Sequence, residues 1–316
     1  MSELHKFLFE GLPVRGMIVR LTDAWREVQA RRQEEAWPWP VVEMLGEMAA
    51  AGTLMQSNIK FNGALIMQIF GEGPVKVAVA EVQHDLSLRV TAKVIGDVDA
   101  NARLPDLVNV NGRGRCAITL DPKEKAPGQQ AYQGVVPLNG AGGEKQQRMS
   151  DVLEHYMRQS EQLDTRLVLA ADANVAAGIL IQRLPADGEG NLAKAAGDLE
   201  DQLEHFNRIA TLTASLTRGE LLELDVETIL RRLYWEEKLL RFEPQTPRFA
   251  CTCSRERVAG MIRGLGREEA DSILAERKEI EVGCDFCGLK YRFDAVDAAR
   301  IFLASTDQPP VSSSVQ

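Results

Sequence analysis

Long apolar runs are missing from this chain of 316 residues. The longest, such as Ala64 to Phe70 with Gln68 inside it, fall far short of the ~20 residues that a bilayer crossing needs. Met1 to Glu10 carries Glu3, His5, Lys6 and Glu10, and lacks the basic start, apolar stretch and small-residue cleavage site of a signal peptide. A cytoplasmic protein without a membrane partner is expected. Positive charge is short as well: 37 Lys and Arg stand against 46 Asp and Glu, for a formal charge of −9. Such a balance gives no global attraction for a phosphate backbone, so nucleic acid is not expected as a partner.

The usual marks of catalysis are also absent. The four histidines, His5, His84, His155 and His205, fall on separate segments without HExxH or paired spacing. There is no GxSxG elbow, and no carboxylate pair stands out among the 46 acids. Gly112 to Ala117 has the GxGxxA form of a dinucleotide fingerprint, but it leads into the β-prone run Cys116 to Leu120 where a helix should begin, and reads as a glycine turn. Gly140 to Lys145 lacks the GK[ST] ending of a phosphate loop. No catalytic residue is assigned, and an enzyme is not expected.

The bulk composition is globular, with 45% apolar and 26% charged residues. At roughly 100–200 residues per domain the length suggests two domains and a small third. In the first half, strand runs predominate: Val14 to Leu21, Ile59 to Phe61, Ala64 to Phe70, Val75 to Val82, Leu86 to Ile95, Cys116 to Leu120 and Tyr132 to Leu138, with Arg166 to Ala171 and Ala177 to Leu184 further on. Helices are expected from a Thr22-Asp23 cap through about Glu35, over Val41 to about Gln56, and from a Ser150 cap through about Gln162. The strands are too dense in sequence for a βαβ repeat, so the fold class is α+β. From Leu192 to Leu216 and Asp225 to Lys238 apolar residues recur at helical spacing, until Pro244 and Pro247 stop the pattern.

Cysteine usage carries the chemistry. Of five cysteines, Cys116 sits alone in an apolar run and reads as a small buried hydrophobe, whereas the others form Cys251-Thr252-Cys253 and Cys284-Asp285-Phe286-Cys287. Tetrahedral zinc takes four soft ligands, and a short CxnC turn delivers two thiolates at once, so Cys251, Cys253, Cys284 and Cys287 are read as a Zn2+ site. Gly288 can then take a positive φ behind the second pair. Closed Cys₄ sites are mostly structural, but a CxC pair can close only a small strained disulfide ring, and strained bridges are the labile ones. From the residues alone, a structural staple and a redox switch both remain open.

Phe249-Ala250-Cys251-Thr252-Cys253-Ser254, followed by Cys284-Asp285-Phe286-Cys287-Gly288, resembles the redox-regulated thirty-three-kilodalton heat-shock chaperone family of bacteria. Glu268 to Glu276, Tyr132 to Val136, Ser160 to Leu163 with Thr165 to Leu167, and the Phe9 to Gly16 region resemble it too, so the likeness spans nearly the whole chain. Ala186 to Gly197, which is Gly-rich, and the Pro309-Pro310 tail depart from the family pattern without touching a motif cysteine.

With the boundaries suggested by composition, the resemblance implies an α+β core over 1–185, a helical linker over 186–248, a zinc redox-switch domain over 249–303 and a disordered tail over 304–316. It implies that the four cysteines hold one Zn2+ in a reduced, inactive state. It further implies that peroxide with heat, or hypochlorous acid, pairs Cys251 with Cys253 and Cys284 with Cys287 and expels the metal. The product would be an ATP-independent holdase that binds unfolding client proteins and associates into a homodimer. Two competing classes are a zinc-ribbon adaptor or nucleic-acid-binding protein with a purely structural zinc, and a thiol oxidoreductase using Cys284 and Cys287. The near balance of charge over Phe249 to Leu303 disfavours the first, and the missing thioredoxin-like βαβ context disfavours the second.

Overall fold

The computed structural model describes residues 1–32, 36–125, 130–184 and 199–303. In chain order the elements are β1 (Glu3–Phe9), β2 (Val14–Leu21), α1 (Asp23–Ala30), α2 (Trp39–Asn58), β3 (Gly63–Phe70), β4 (Val75–Gln83), β5 (Ser87–Val94), α3 (Leu104–Val108), β6 (Arg115–Pro122), β7 (Tyr132–Pro137), α4 (Met149–Ser160), β8 (Thr165–Ala171) and β9 (Ala176–Arg183). There follow α5 (Leu199–Ala214), α6 (Arg218–Glu223), α7 (Val226–Tyr234), β10 (Leu239–Arg241), β11 (Arg248–Phe249), α8 (Arg255–Leu265), α9 (Arg267–Arg277), β12 (Ile280–Gly283), β13 (Lys290–Phe293) and α10 (Ala295–Leu303). The fold is α+β and divides into two compact units, Met1–Ala250 and Cys251–Gln316.

The first unit is layered around two sheets, one ordered β10-β1-β2-β9-β8 and the other β11-β5-β4-β3-β6-β7. Helix α2 has a long run of buried residues, from Met44 through Gln56 apart from Glu47, because it lies in the middle layer against strands of both sheets. A helix that is apolar nearly all round belongs in such a place. On the other face of the first sheet, α5 to α7 bury Phe206, Ile209, Leu221, Ile229 and Tyr234 against Phe7, Phe9, Ile18 and Ile181. Strands β2 and β9 are therefore covered on both sides, which is why they read as nearly continuous apolar runs. Gly16 is required where β1 and β2 meet, since a Cβ there would overlap the Phe7 ring.

Several local expectations are corrected. Ile59 to Phe61 is no strand: Ile59 closes α2, and both places beside β3 are taken by β4 and β6. Helix α4 begins at Met149 behind Arg148, so Ser150 lies inside its first turn. The Thr22 side chain makes no cap bond; Ser2 Oγ accepts from Thr22 N at 3.0 Å and Ala24 N at 3.1 Å in its place. Sequence distance hid that cap. Strands β1 and β10 to β13 lie outside the strand runs read from the sequence; β10 joins the first sheet beside β1, β11 runs parallel to β5, and β12 pairs with β13. The expected tail 304–316 and the start of the linker, 186–198, lie outside the described residues.

Candidate metal centre

The second unit is built on little apolar surface. Val258, Ile262, Ala270, Ile280, Phe293 and Ile301 form its buried cluster, drawn from α8, α9, the β12–β13 hairpin and α10. Arg255 ties three of these elements together: it lies 4.2 Å from the Phe293 ring centre, donates to Arg292 O at 2.8 Å and pairs with Asp297 at 2.7 Å.

The first cysteine pair leads directly into α8. Ser254 caps that helix, its Oγ accepting from Arg257 N at 3.2 Å, and Arg257 Nη1 donates to Thr252 O at 2.8 Å, which fixes the turn between Cys251 and Cys253. The second pair forms the tip of the β12–β13 hairpin, whose register runs from Ile280 opposite Phe293 to Gly283 opposite Lys290. Cys284 N donates to Leu289 O at 3.0 Å and Gly288 N to Cys284 O at 2.8 Å. Gly288 closes the tip with φ +69, the left-handed conformation expected behind the second sulfur.

These turns bring the four sulfurs within 4.8 Å of one another. Cys251 and Cys284 Sγ are 3.6 Å apart, and Cys253 and Cys287 Sγ are 3.4 Å apart. A tetrahedron of thiolates about 2.3 Å from a zinc ion has edges of about 3.8 Å, so the donor set fits a metal that prefers four soft ligands. Cys287 is buried and the other three are half-buried. Burial holds the Cys284 and Cys287 thiols above the ordinary thiol range. Opposing it, the backbone N–H groups of Cys287 and Phe286 lean on Cys284 Sγ, and that of Leu289 on Cys287 Sγ. A cation held by these four sulfurs would reverse the balance and leave them deprotonated.

Tyr291, which sequence reasoning missed, donates its hydroxyl to Cys253 Sγ at 3.1 Å. Its position on the strand that leaves the CxxC tip was the available signal, because a hairpin folds that strand back past the ligands. Cys116 stands apart, buried in β6 with its thiol pushed up to about 12 by desolvation. Among the described residues the four cysteines are the metal-capable cluster, and no histidine joins them. Gly112 to Ala117 forms a turn that runs into β6, and Lys145 Nζ donates to Val110 O at 2.7 Å. Among the described residues no helix is long and apolar enough to cross a membrane.

Comparison with known proteins gives concordant results. A 33 kDa chaperonin of Chromobacterium violaceum is 42% identical over 301 residues, covering 95% of this chain and 94% of that one. A 33 kDa chaperonin of Methylobacillus flagellatus is 40% identical, covering 98% and 97%. The crystal structure of a 33 kDa chaperonin (heat shock protein 33 homolog) from Thermotoga maritima superposes with a TM-score of 0.75 at 18% identity over 97% of this chain and 99% of that one, a likeness of fold. The sequence model described as Hsp33 protein matches residues 2–294, a span holding both sheets and all four clustered cysteines, and the chain belongs to that family.

Proposed function

We propose that this protein is a redox-regulated, ATP-independent holdase chaperone of the cytoplasm, and not an enzyme. In its reduced and inactive state Cys251, Cys253, Cys284 and Cys287 would hold one Zn2+. The observation that carries the proposal is the convergence of these four sulfurs within 4.8 Å in a unit with a small apolar core, in a chain of the Hsp33 family. Bound zinc would supply deprotonated sulfurs and the cross-link that such a core lacks.

Oxidation would pair Cys251 with Cys253 and Cys284 with Cys287. Each pair of thiolates would give two electrons to one hydrogen peroxide, so that one S–S bond forms, the O–O bond breaks and, with two protons from solvent, two water molecules leave. The sulfur contacts of 3.6 Å between Cys251 and Cys284 and 3.4 Å between Cys253 and Cys287 join one pair to the other, so the proposed pairing within each pair rests on the family resemblance. With its sulfurs withdrawn, the 249–303 domain would lose its fold. A linker over 186–248 would then loosen from the core over 1–185. Two features support that role for the linker: α5 to α7 lie on one face of the first sheet, and Phe206, Ile209 and Ile229 are buried there. Once exposed, such a surface would hold unfolding client proteins, and the active form would be a homodimer.

The test follows aggregation of a heat-unfolded client by light scattering while a chromogenic chelator counts released zinc. Suppression that appears only after oxidation and tracks zinc release is expected. Equal aggregation with reduced and oxidised protein, with zinc retained, would leave the cysteine site a structural staple.

A further inference from the structure

The first unit contains a cleft of about 470 Å³ at the carboxy-terminal end of α2, lined in part by Lys6, Arg15, Lys60 and His84 and by no Asp or Glu. In a chain with nine more acids than bases, that lining is unusual. Lys6 and Arg15 share one face of the β1–β2 pair, because Lys6 lies opposite Met17 and Leu8 opposite Arg15. They stand close enough for Arg15 to help lower the Lys6 pKa, after burial, and no carboxylate opposes the repulsion. Lys6 donates to Ser57 O, and Arg15 donates to the Gln182 side chain, with Nε at 3.1 Å. Asp85, beside His84, is engaged by Arg248 and by Ser87.

The end of α2 accounts for part of this charge, since that helix has no basic residue in its last turn. A helix carboxy terminus is equivalent to about half a negative charge, which the side-chain charges of Lys6, Arg15 and the exposed Lys60 together exceed several-fold. The wall is apolar on one side. Phe242, whose N–H donates to Lys6 O at 3.1 Å, is 52% exposed, and Ile59 is 38% exposed. The volume falls within the roughly 300–1,000 Å³ of small-molecule sites.

We infer that this cleft binds a small organic phosphate ester, with the phosphoryl group among Lys6, Arg15 and Lys60 and the apolar body against Phe242. A phosphomonoester carries about −1.5 to −2 charges near neutral pH and matches such a cluster better than a single carboxylate does. The ligand class differs from the protein clients proposed above, and the site involves none of the clustered cysteines.

Phenyl phosphate is the probe, titrated calorimetrically into the full reduced chain at constant ionic strength, beside inorganic phosphate and benzoate. One site is expected, about tenfold tighter for phenyl phosphate than for benzoate, and weakened about tenfold by Lys60→Gln. Lys60 is exposed, so the ligand-free melting temperature of that variant should match the parent. Phe242→Ala should reduce phenyl phosphate to the affinity of inorganic phosphate. Absence of saturable binding, equal affinity for benzoate, or an unchanged constant in Lys60→Gln would overturn the site. Equal binding of inorganic and phenyl phosphate by the parent would overturn the assignment to an ester.

Discussion

Tyr291 and Cys253 lie on different segments, a hairpin strand and the turn before α8, and are joined by a hydroxyl-to-sulfur hydrogen bond of 3.1 Å. The same bond is the first cause, with burial second, of a Tyr291 pKa raised above the ordinary phenol range. Partners that orient metal ligands typically contribute 10–100-fold to affinity. Tyr291→Phe keeps the ring and deletes the bond, so zinc affinity should fall about tenfold in competition with a chromogenic chelator. An unchanged affinity would remove Tyr291 from the centre.

Removing a ligand and removing an uninvolved thiol should have opposite signatures. Cys284→Ser is expected to lose tight zinc binding and, with it, the oxidative activation proposed above. Structural zinc is worth about 10–16 kcal/mol in small modules, so this variant, like the parent treated with a strong chelator, should lose helical circular dichroism and become sensitive to protease within 251–303. Cys116→Ser should retain zinc binding and the proposed oxidative activation. Its hydroxyl enters an apolar site and lowers the stability of the first unit by about 1–3 kcal/mol, read from denaturant midpoints. Loss of zinc from the Cys116 variant would mean that the thiols are misassigned.

Glu47 gives the first unit a pH dependence of known sign. Desolvation of its half-buried carboxyl, then the neighbouring Glu43 carboxylate, pushes it from 4.5 up to about 8, while Arg218 and Arg148 pull it down and Asp151 adds to the rise. Arg218 is already paired with Glu43 at 2.9 Å and Arg148 with Asp151 at 2.8 Å. The folded state favours the neutral acid. Its contribution is therefore full below pH 4.5 and is lost as pH climbs through about 8. At about 1.4 kcal/mol per pK unit the loss is on the order of a few kcal/mol. Glu47→Gln should raise the urea midpoint at pH 8.5 and leave it nearly unchanged at pH 4. Parallel pH profiles for the two proteins would contradict this.

Gly16 tests the packing of the first sheet. An added Cβ meets the Phe7 ring and comes within 2.9 Å of Ile181 Cδ1. Overpacking of that kind costs about 1–3 kcal/mol, so Gly16→Ala should lower the melting temperature by several degrees without altering zinc content. An unchanged melting temperature would show that Phe7 can move aside.

The ligands were legible because their chemistry is local: one residue separates Cys251 from Cys253, and two separate Cys284 from Cys287. The turn at Gly288 follows from the same short range. Ser2 as the cap of α1, Tyr291 as a partner of Cys253 and the cation cluster around Lys6 depend on chain segments meeting after folding. Composition and periodicity do not encode those meetings. Glu47 was hidden for another reason, as one acid among 46 on a helix whose burial becomes evident only when both sheets are in place.

The sulfur contacts between Cys251 and Cys284 and between Cys253 and Cys287 join residues 33 and 34 positions apart. In polymer terms, what matters is which segments a link joins, not how many links there are. Closing a loop of that length lowers the entropy of the unfolded chain by the equivalent of about 4 kcal/mol, whereas a loop of three or four residues contributes about half as much. Disulfides within the two pairs would exchange the metal's bonds to sulfur for two S–S bonds and thus release the long loop, whereas a single bridge between Cys253 and Cys287 would keep it closed. An oxidant could open or lock the same module, depending only on how the four sulfurs are paired.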